Sequence, residues 1–389
     1  MILYMLLGLV LLYLLFFMYI KIRFRFWSIQ PVFHMYNLYY WLFPCGILYQ
    51  SIPSDYRTKF YDQMIDTQRF SDCSAEKKAL LYFLISSQYL RTKEALYQPT
   101  KSQVLNYFYG HLDASYLSLC YDNVLRNNRL HKKVVGSMTT RPLIGYLHGH
   151  KLDIGYVDFL CVHKNYRKKG YAQKLIYSHY VNVRKQKSHT IYLFKREGEM
   201  NLIVPLCVYF AYTFSTKILH KPNFKLPANV VCTLVSGGNF PIFQEYFGEK
   251  GKKFKCFIAP NMAHLKFLVE HKNIFICVLM VDNVPKGFYI YRNCSTKYKN
   301  KLSIELIASY YELGFYEYFM DSLQNTIVLI EKNIKHIFDL LLIENISNNN
   351  DVISMLRKKT PILWKCPMAY FFYNFIQRPL LPKDVLLVC

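Results

Sequence analysis

The feature that most constrains this chain is an uninterrupted apolar stretch at its N-terminus. Residues 2–20 carry no charged side chain, and Lys21, Arg23 and Arg25 follow directly. A stretch of this length is about enough to cross a bilayer as a helix. A cleaved signal peptide carries its positive charge before the apolar core, so the reversed order predicts a retained anchor. The positive-inside rule then predicts a single-pass membrane protein with its remaining chain in the cytoplasm. The alternative is a buried N-terminal core helix.

Composition narrows the class of protein further. The chain has 389 residues, 52% of them hydrophobic, and a formal net charge of +24. This length and apolar content fit one large or two medium domains and exclude extended disorder. The excess of basic over acidic residues is typical of proteins that bind phosphate-bearing ligands, an anionic membrane or nucleic acid. The charge is diffuse and no nucleic-acid motif is present, so we expect no nucleic-acid partner. The 11 cysteines show no CxxC pair, which predicts reduced thiols and no metal site.

Strand-like and helix-like segments alternate after residue 55. Strands are indicated at residues 134–142, 155–163 and 188–195 by their Val, Ile and aromatic content, and a helix at 168–187 by its spacing of apolar residues. The second half repeats the alternation. This order predicts an α/β (α+β) fold built from two related mixed-sheet units.

A basic loop between a strand and a helix is the clearest chemical motif. Arg167, Lys168 and Lys169 precede Gly170-Tyr171-Ala172, which opens the helix. Small residues let backbone N–H groups approach a ligand, and a helix N-terminus favours anions. The loop therefore predicts a pyrophosphate site. The alternative is a basic loop on a solvated surface.

The pattern Arg167-x-x-Gly170-x-Ala172 resembles the coenzyme-binding loop of GNAT acyltransferases. Three further segments, in the same order along the chain, resemble the N-myristoyltransferase family: FWSIQPV at residues 26–32, FLCVHK at 159–164, and an aromatic strand at 370–375 followed by a short apolar tail. The chain is therefore identified as resembling a divergent member of that family, of viral or divergent eukaryotic origin.

This resemblance implies two tandem GNAT-like units behind the anchor. Residues 1–22 would be the transmembrane anchor, 23–220 the acyl-CoA-binding half and 221–389 the acceptor-binding half. The implied activity moves a fatty acyl group, most simply myristoyl, from coenzyme A to a protein amine such as an N-terminal glycine, by direct addition–elimination. Acyl-CoA (myristoyl-CoA) would be the co-substrate, a protein or peptide the acceptor, and no metal would take part.

The resemblance also assigns site residues. Those implied to hold acyl-CoA are Arg25, Phe26, Trp27, Phe159, Leu160, Cys161, Val162, Arg167, Lys168, Lys169, Gly170, Tyr171 and Ala172. The backbone N–H groups of Phe159 and Leu160 would form the oxyanion hole. The α-carboxylate of Cys389 would be the general base, and burial in the apolar tail would raise its pKa.

The departures from the family fall on the acceptor side. Asp158 stands where the family has Asn, and Tyr192-Leu193 stands where it has Tyr-Thr. Glu94 is the one acid in the stretch 88–97, where the family has an acidic run. Asp158 and Tyr192 are the predicted acceptor-binding residues, although a paired structural carboxylate is an alternative for Asp158. Two alternative functions stay open: a GNAT acyltransferase with another acyl chain or a lysine or small-amine acceptor, and a non-catalytic membrane scaffold.

Overall fold

A computed structural model describes residues 2–54, 56–126, 129–198, 202–220 and 226–389. Its helices are α1 (Ile2–Arg23), α2 (Leu38–Leu42), α3 (Ala75–Gln88), α4 (Lys101–Leu105), α5 (Tyr171–Lys185), α6 (Phe240–Gly251), α7 (Met262–Glu270), α8 (Tyr316–Ile334) and α9 (Asn349–Lys359). Its strands are β1 (Gly46–Ile47), β2 (Asp66–Arg69), β3 (Ala95–Tyr97), β4 (Tyr116–Arg126), β5 (Arg129–Leu147), β6 (His150–Val162), β7 (Ile191–Glu197), β8 (Cys207–Ser215), β9 (Val230–Leu234), β10 (Cys256–Ala259), β11 (Ile274–Val281), β12 (Val284–Tyr298), β13 (Lys301–Tyr311), β14 (Leu340–Glu344), β15 (Trp364–Tyr373), β16 (Phe375–Ile376) and β17 (Val385–Leu387).

One mixed sheet runs through the described part of the chain. Its main path is β17-β10-β5-β6-β7-β15-β8-β14-β13-β12-β11-β9, with β4 also paired to β5 and β3 to β12. Helix α5 packs against β4, β5 and β6, and α8 packs against β9 and β11. Buried residues such as Leu175 and Ile327 anchor these helices to the sheet. The predicted mixed α/β fold is confirmed, whereas the division at residue 220 stays a prediction.

The end of the chain completes the sheet of the first half. Strand β15 lies between β7 and β8, antiparallel to both, although β7 and β8 are consecutive in sequence. Strand β10 pairs with β5, and the tail strand β17 lies parallel to β10 in the register Cys256↔Val385. The last residues are therefore built into the sheet and not left in solvent.

The sheet opens between β6 and β7. These parallel strands pair only from Ile154↔Ile191 to Tyr156↔Leu193, although both continue beyond that point. On the other side of β6, the register to β5 shifts between Ser137 and Thr139. Two residues of β6, Phe159 and Leu160, thus lie opposite one residue of β5, which is a β-bulge. The bulge and the divergence place a gap in the middle of the sheet.

Helix α1 projects from the folded body. Its mean hydropathy is 2.5 and its apolar window is 0% buried, so it is long and apolar enough to cross a membrane. Only Ile20 of this helix is buried. The alternative of a buried core helix is therefore wrong for this fold.

Candidate active site

The gap in the sheet opens into a deep cleft of about 1360 Å³. One wall is β6 at residues 157–160, and the facing wall is β7 at residues 194–197. Residues of β12, β13, β14 and β15 line the far end, so both halves of the chain contribute. The cleft is large enough for a coenzyme-sized ligand together with part of an acceptor.

The segment directly after α1 covers one side of the cleft. The ring of Trp27 stacks on that of Phe194, with the centroids 6.1 Å apart and the planes at 17°. Phe26 is buried against Phe60, with ring centroids 5.1 Å apart. His34 Nε2 lies 2.8 Å from the carbonyl oxygen of Trp27 and fixes its backbone. The two predicted coenzyme contacts, Phe26 and Trp27, thus both line the cleft.

The bulge in β6 presents main chain to the same space. Phe159 has a φ of +40°, a left-handed conformation that costs a non-glycine residue about 1–2 kcal/mol. The hydroxyl of Ser137 donates to the carbonyl oxygen of Phe159 over 3.3 Å and holds the bulge in place. Because a bulged residue leaves the regular ladder, its backbone is free to meet a ligand. Phe159 and Leu160 both line the cleft.

The basic loop leads into the N-terminus of α5. Lys168 and Gly170 have φ values of 63° and 83°, so the chain turns sharply before the helix begins. No side chain caps this N-terminus. Uncapped first-turn N–H groups favour an anion. Ala172 lies on the cleft, while Lys168 and Lys169 are exposed beside it.

Other predicted coenzyme residues have different surroundings. The guanidinium of Arg167 donates to the carbonyl oxygens of Gln88 (2.8 Å) and Val162 (3.1 Å), so it ties the loop to the end of α3. Cys161 packs in the core, where burial raises the pKa of its thiol to about 11. Arg25 is exposed beyond the cleft lining. Contact of these residues, and of Tyr171, with a coenzyme stays a prediction.

Cys389 lies inside the protein behind the cleft. It is 3% exposed, and the preceding N–H of Val388 donates to Ile258 over 2.9 Å. Arg292, which lines the cleft, donates from Nη1 to the main-chain oxygen of Cys389 at 2.9 Å. Burial raises the pKa of the Cys389 thiol to about 12, so the thiol stays neutral. The guanidinium of Arg292 thus links the main-chain oxygen of Cys389 to the cleft by one hydrogen bond.

Arg292 belongs to a buried charge network at the far end of the cleft. Its Nη2 lies 2.7 Å from Glu305 and 3.5 Å from Glu344, and Lys195 forms an ion pair with Glu344. Burial opposes ionisation of Glu305, but the charges of Arg292 and Lys195 hold its pKa down at about 2. Burial raises the pKa of Glu344, and the neighbouring charge of Glu305 adds to the effect. The two carboxylates are thus surrounded by the two cations Arg292 and Lys195.

Asp158 and Tyr192, the two predicted acceptor residues, both line the cleft. Asp158 accepts a 2.6 Å hydrogen bond from Nε of Arg141, which is 1% exposed. Asp158 is thus a paired carboxylate, as the alternative from the sequence proposed. Tyr192 is 2% exposed and packs on Tyr180, with ring centroids 5.7 Å apart. It lies in an aromatic inner pocket of the cleft.

Leu193 does not contribute to the cleft. It is fully buried in a core cluster on the opposite side of β7, where alternate side chains point away from Tyr192 and Phe194. The missing hydroxyl at this position is therefore a feature of the core and not of the cleft.

Sequence analysis missed the charged residues Arg141, Lys195, Arg292, Glu305 and Glu344. Each interrupts or ends an otherwise apolar strand. A buried charge is costly unless it is paired, so isolated charges inside apolar strands could have indicated a polar site.

Residues 86–200 match the model of the acetyltransferase (GNAT) domain, which spans the bulge, the basic loop and α5. The chain as a whole has the fold of N-myristoyltransferase. A crystal structure of the Saccharomyces cerevisiae enzyme with bound myristoyl-CoA is similar with a TM-score of 0.66 and 14% identity, over 92% of this chain and 94% of that one.

A second structure of the yeast enzyme with bound myristoyl-CoA gives a TM-score of 0.68 and 13% identity, over 94% of both chains. A third structure of the yeast enzyme, with bound myristoyl-CoA and inhibitors, gives a TM-score of 0.68 and 14% identity, over 94% of this chain and 96% of that one. The predicted resemblance is thus confirmed at the level of the fold. No curated protein matches the chain by sequence.

Proposed function

We propose that this protein is a membrane-anchored N-acyltransferase that moves a long acyl chain, most simply myristoyl, from coenzyme A to an N-terminal glycine amine. The observation that carries the proposal is the cleft at the opening between β6 and β7, flanked by a bulge and by an uncapped helix N-terminus. The GNAT domain supports acyl-CoA-dependent transfer. The yeast proteins of the same fold bind myristoyl-CoA in their crystal structures.

The donor would lie along the first half of the cleft. Phe26 and Trp27 would cover the coenzyme, and the first turn of α5 with Lys168 would bind its pyrophosphate. Asp158 and Tyr192, which line the same cleft, would contact the acceptor. The N–H groups of Phe159 and Leu160 would stabilise the oxyanion of the tetrahedral intermediate, for which one donor is worth about 3–4 kcal/mol.

The acceptor amine must lose a proton before it attacks. An α-amino group has a pKa of about 7.7–8.0 and is mostly charged at neutral pH. We assign the base to the carboxylate of Cys389, oriented by Arg292. The freed amine then adds through its lone pair to the thioester carbonyl carbon, and the nitrogen of the tetrahedral intermediate loses its second proton to solvent. The carbon–sulfur bond breaks to leave the amide, and the coenzyme A thiolate takes up the proton held by the carboxylate of Cys389, which restores the base.

Helix α1 would hold this site at a membrane. Its length and exposure suit a spanning segment, and Lys21 and Arg23 in its last turn favour a cytoplasmic location for the catalytic part.

The test combines ligand binding with turnover. The melting temperature of the detergent-solubilised chain is measured with acetyl-, octanoyl- and myristoyl-CoA, and transfer is measured to peptides that begin with glycine or carry only a lysine amine. We expect the largest stabilisation from myristoyl-CoA and transfer to the glycine peptide. Equal stabilisation by all three donors, or transfer only to lysine, would favour another GNAT acyltransferase. Binding without transfer to either peptide would favour a scaffold.

A further inference from the structure

A second exposed apolar surface lies next to α1. We call residues 35–42 the aromatic loop; it contains α2 and the turn before it. Met35, Leu38, Tyr39 and Leu42 are 54%, 74%, 63% and 83% exposed. An exposed patch of large apolar side chains on a folded protein is typical of an interaction surface.

The aromatic loop is firmly held in this position. Trp41 packs on the buried ring of Phe33, with centroids 4.9 Å apart, and its Nε1 donates to the carbonyl oxygen of Met35 at 2.9 Å. The side chain of Asn37 caps α2 by accepting from the N–H of Tyr39 at 3.1 Å. The exposed residues are thus displayed by a defined local structure.

The same loop contacts α1 directly. Tyr36 packs edge-on against Phe17, with ring centroids 5.5 Å apart. The end of α1 continues without a flexible linker, because Phe24 donates to Ile20 at 2.8 Å and Ser28 donates to Phe24 at 2.9 Å. The position of the loop relative to the end of α1 is therefore fixed.

The charged side chains of residues 2–54 are all basic. No Asp or Glu precedes residue 55, while Lys21, Arg23 and Arg25 are exposed at the end of α1. Arg378 donates to the carbonyl oxygen of Trp41 at 3.1 Å and adds a further cation. Cations at a membrane surface attract anionic lipid with about 1 kcal/mol each, and Trp and Tyr favour the headgroup layer.

We infer that the aromatic loop is a second membrane contact, inserted into the headgroup layer of an anionic bilayer beside the end of α1. The inference rests on the proposed anchoring by α1. Two contacts instead of one would stop the catalytic part from swinging about its anchor. Because Trp27 follows Arg23 by four residues, the coenzyme cleft would then lie at the membrane surface, where long-chain acyl-CoA accumulates.

The three tryptophans of the chain allow a direct test. The double variant Trp27→Phe/Trp364→Phe keeps only Trp41, and Trp27→Phe/Trp41→Phe keeps only Trp364 as the matched control. Both full-length proteins are reconstituted into phosphatidylcholine vesicles containing phosphatidylserine and lipids brominated near the headgroup. We expect quenching of Trp41 fluorescence by about half and little quenching of Trp364.

A further variant separates the loop from the anchor. Leu38→Glu/Leu42→Glu changes two highly exposed residues, so the fold is expected to persist, and in the Trp41-only background it should abolish the quenching while vesicle flotation remains. Flotation without Trp41 quenching in the parent protein would reject the loop contact and leave the anchor intact. Absence of flotation would reject both.

Discussion

Arg292 connects more of the site than any other described side chain. It donates to Glu305 and to the main-chain oxygen of Cys389, and it lines the cleft. Arg292 was not predicted from the sequence, because an isolated charge inside an apolar strand can indicate a polar site but not the partners that form it. Arg292 meets Glu305 because β12 pairs with β13, and it meets Cys389 because the end of the chain packs back into the fold. These contacts join residues that are far apart in the sequence.

Arg292→Met tests this central position. Removal of one partner from a buried ion pair costs about 3–5 kcal/mol, so we expect a loss of about 3 kcal/mol in the free energy of unfolding together with loss of acyl transfer. Denaturant unfolding and turnover measure the two effects. Lys151→Met is the control, because Lys151 and Asp153 form an exposed pair that should contribute less than about 1 kcal/mol. Similar losses in both variants would contradict a special role for Arg292.

Buried histidines predict sensitivity to acid. Burial lowers the pKa of His179 to about 3 and that of His264 to about 2, below the ordinary value of about 6.5 in the unfolded chain. Stability should therefore be complete above about pH 6.5 and fall as the unfolded chain takes up protons. If the unfolded chain binds at least two more protons than the folded chain, the free energy of unfolding falls by about 2.7 kcal/mol for each pH unit between about pH 6 and pH 5.

The variant His264→Asn tests whether His264 is one of the groups that take up these protons. Asparagine can keep the hydrogen bond that Nδ1 of His264 makes with the carbonyl oxygen of Tyr109, at 2.6 Å, but it does not titrate. We expect the slope in urea unfolding between those pH values to fall by about 1.4 kcal/mol per pH unit. An unchanged slope would show that His264 is not the group that titrates.

Local sequence patterns predicted most of the helices and strands near the site. The predicted strand at residues 188–195 is observed as β7, Ile191–Glu197, and the predicted helix at 168–187 as α5, Tyr171–Lys185. The segment predicted at 155–163 is the end of a longer strand, β6, His150–Val162. Periodicity could not reveal this length, because the first part of β6 forms a hairpin with β5 that exposes polar residues such as Lys151.

The residues after β17 carry the proposed base, and lengthening the chain at this end tests it. One glycine added after Cys389 should displace the proposed base from Arg292, while β17 keeps its pairing with β10. We expect turnover to fall by about 100-fold or more, with stabilisation by acyl-CoA retained. Lys383→Gln, an exposed change in the same tail, is the control and should retain full turnover. A normal rate in the extended protein would reject the carboxylate of Cys389 as the base.

The first part of α1, residues 2–16, is separable from the folded body of the protein. Residues 2–16 are exposed, whereas Phe17 contacts Tyr36 and Ile20 is buried. Deletion of residues 2–16 should therefore change the melting temperature by less than about 2 °C and still abolish tight binding to vesicles. Calorimetry and flotation measure these outcomes. A deletion of residues 2–24 should destabilise the protein, and equal stability of the two truncated chains would contradict the assigned contacts.

The sequence predicted the class of fold and the composition of its segments, but not their order in space. Local patterns indicate where a strand lies, whereas the neighbours of that strand depend on pairing across hundreds of residues. The pairing of β10 with β5 and the position of β15 could not be deduced from periodicity. The charge network was missed for the same reason, because its members come from four strands.

The position of β15 has a consequence for how the protein is made. When a nascent chain has reached only β8, both partners of β8 in the finished sheet, β14 and β15, are still missing, and β7 lacks its neighbour β15. Until these partners are made, β7 and β8 present open edges, which favour pairing with other chains. Because contacts between distant segments slow folding, we expect the sheet to be completed only after the end of the chain has been made.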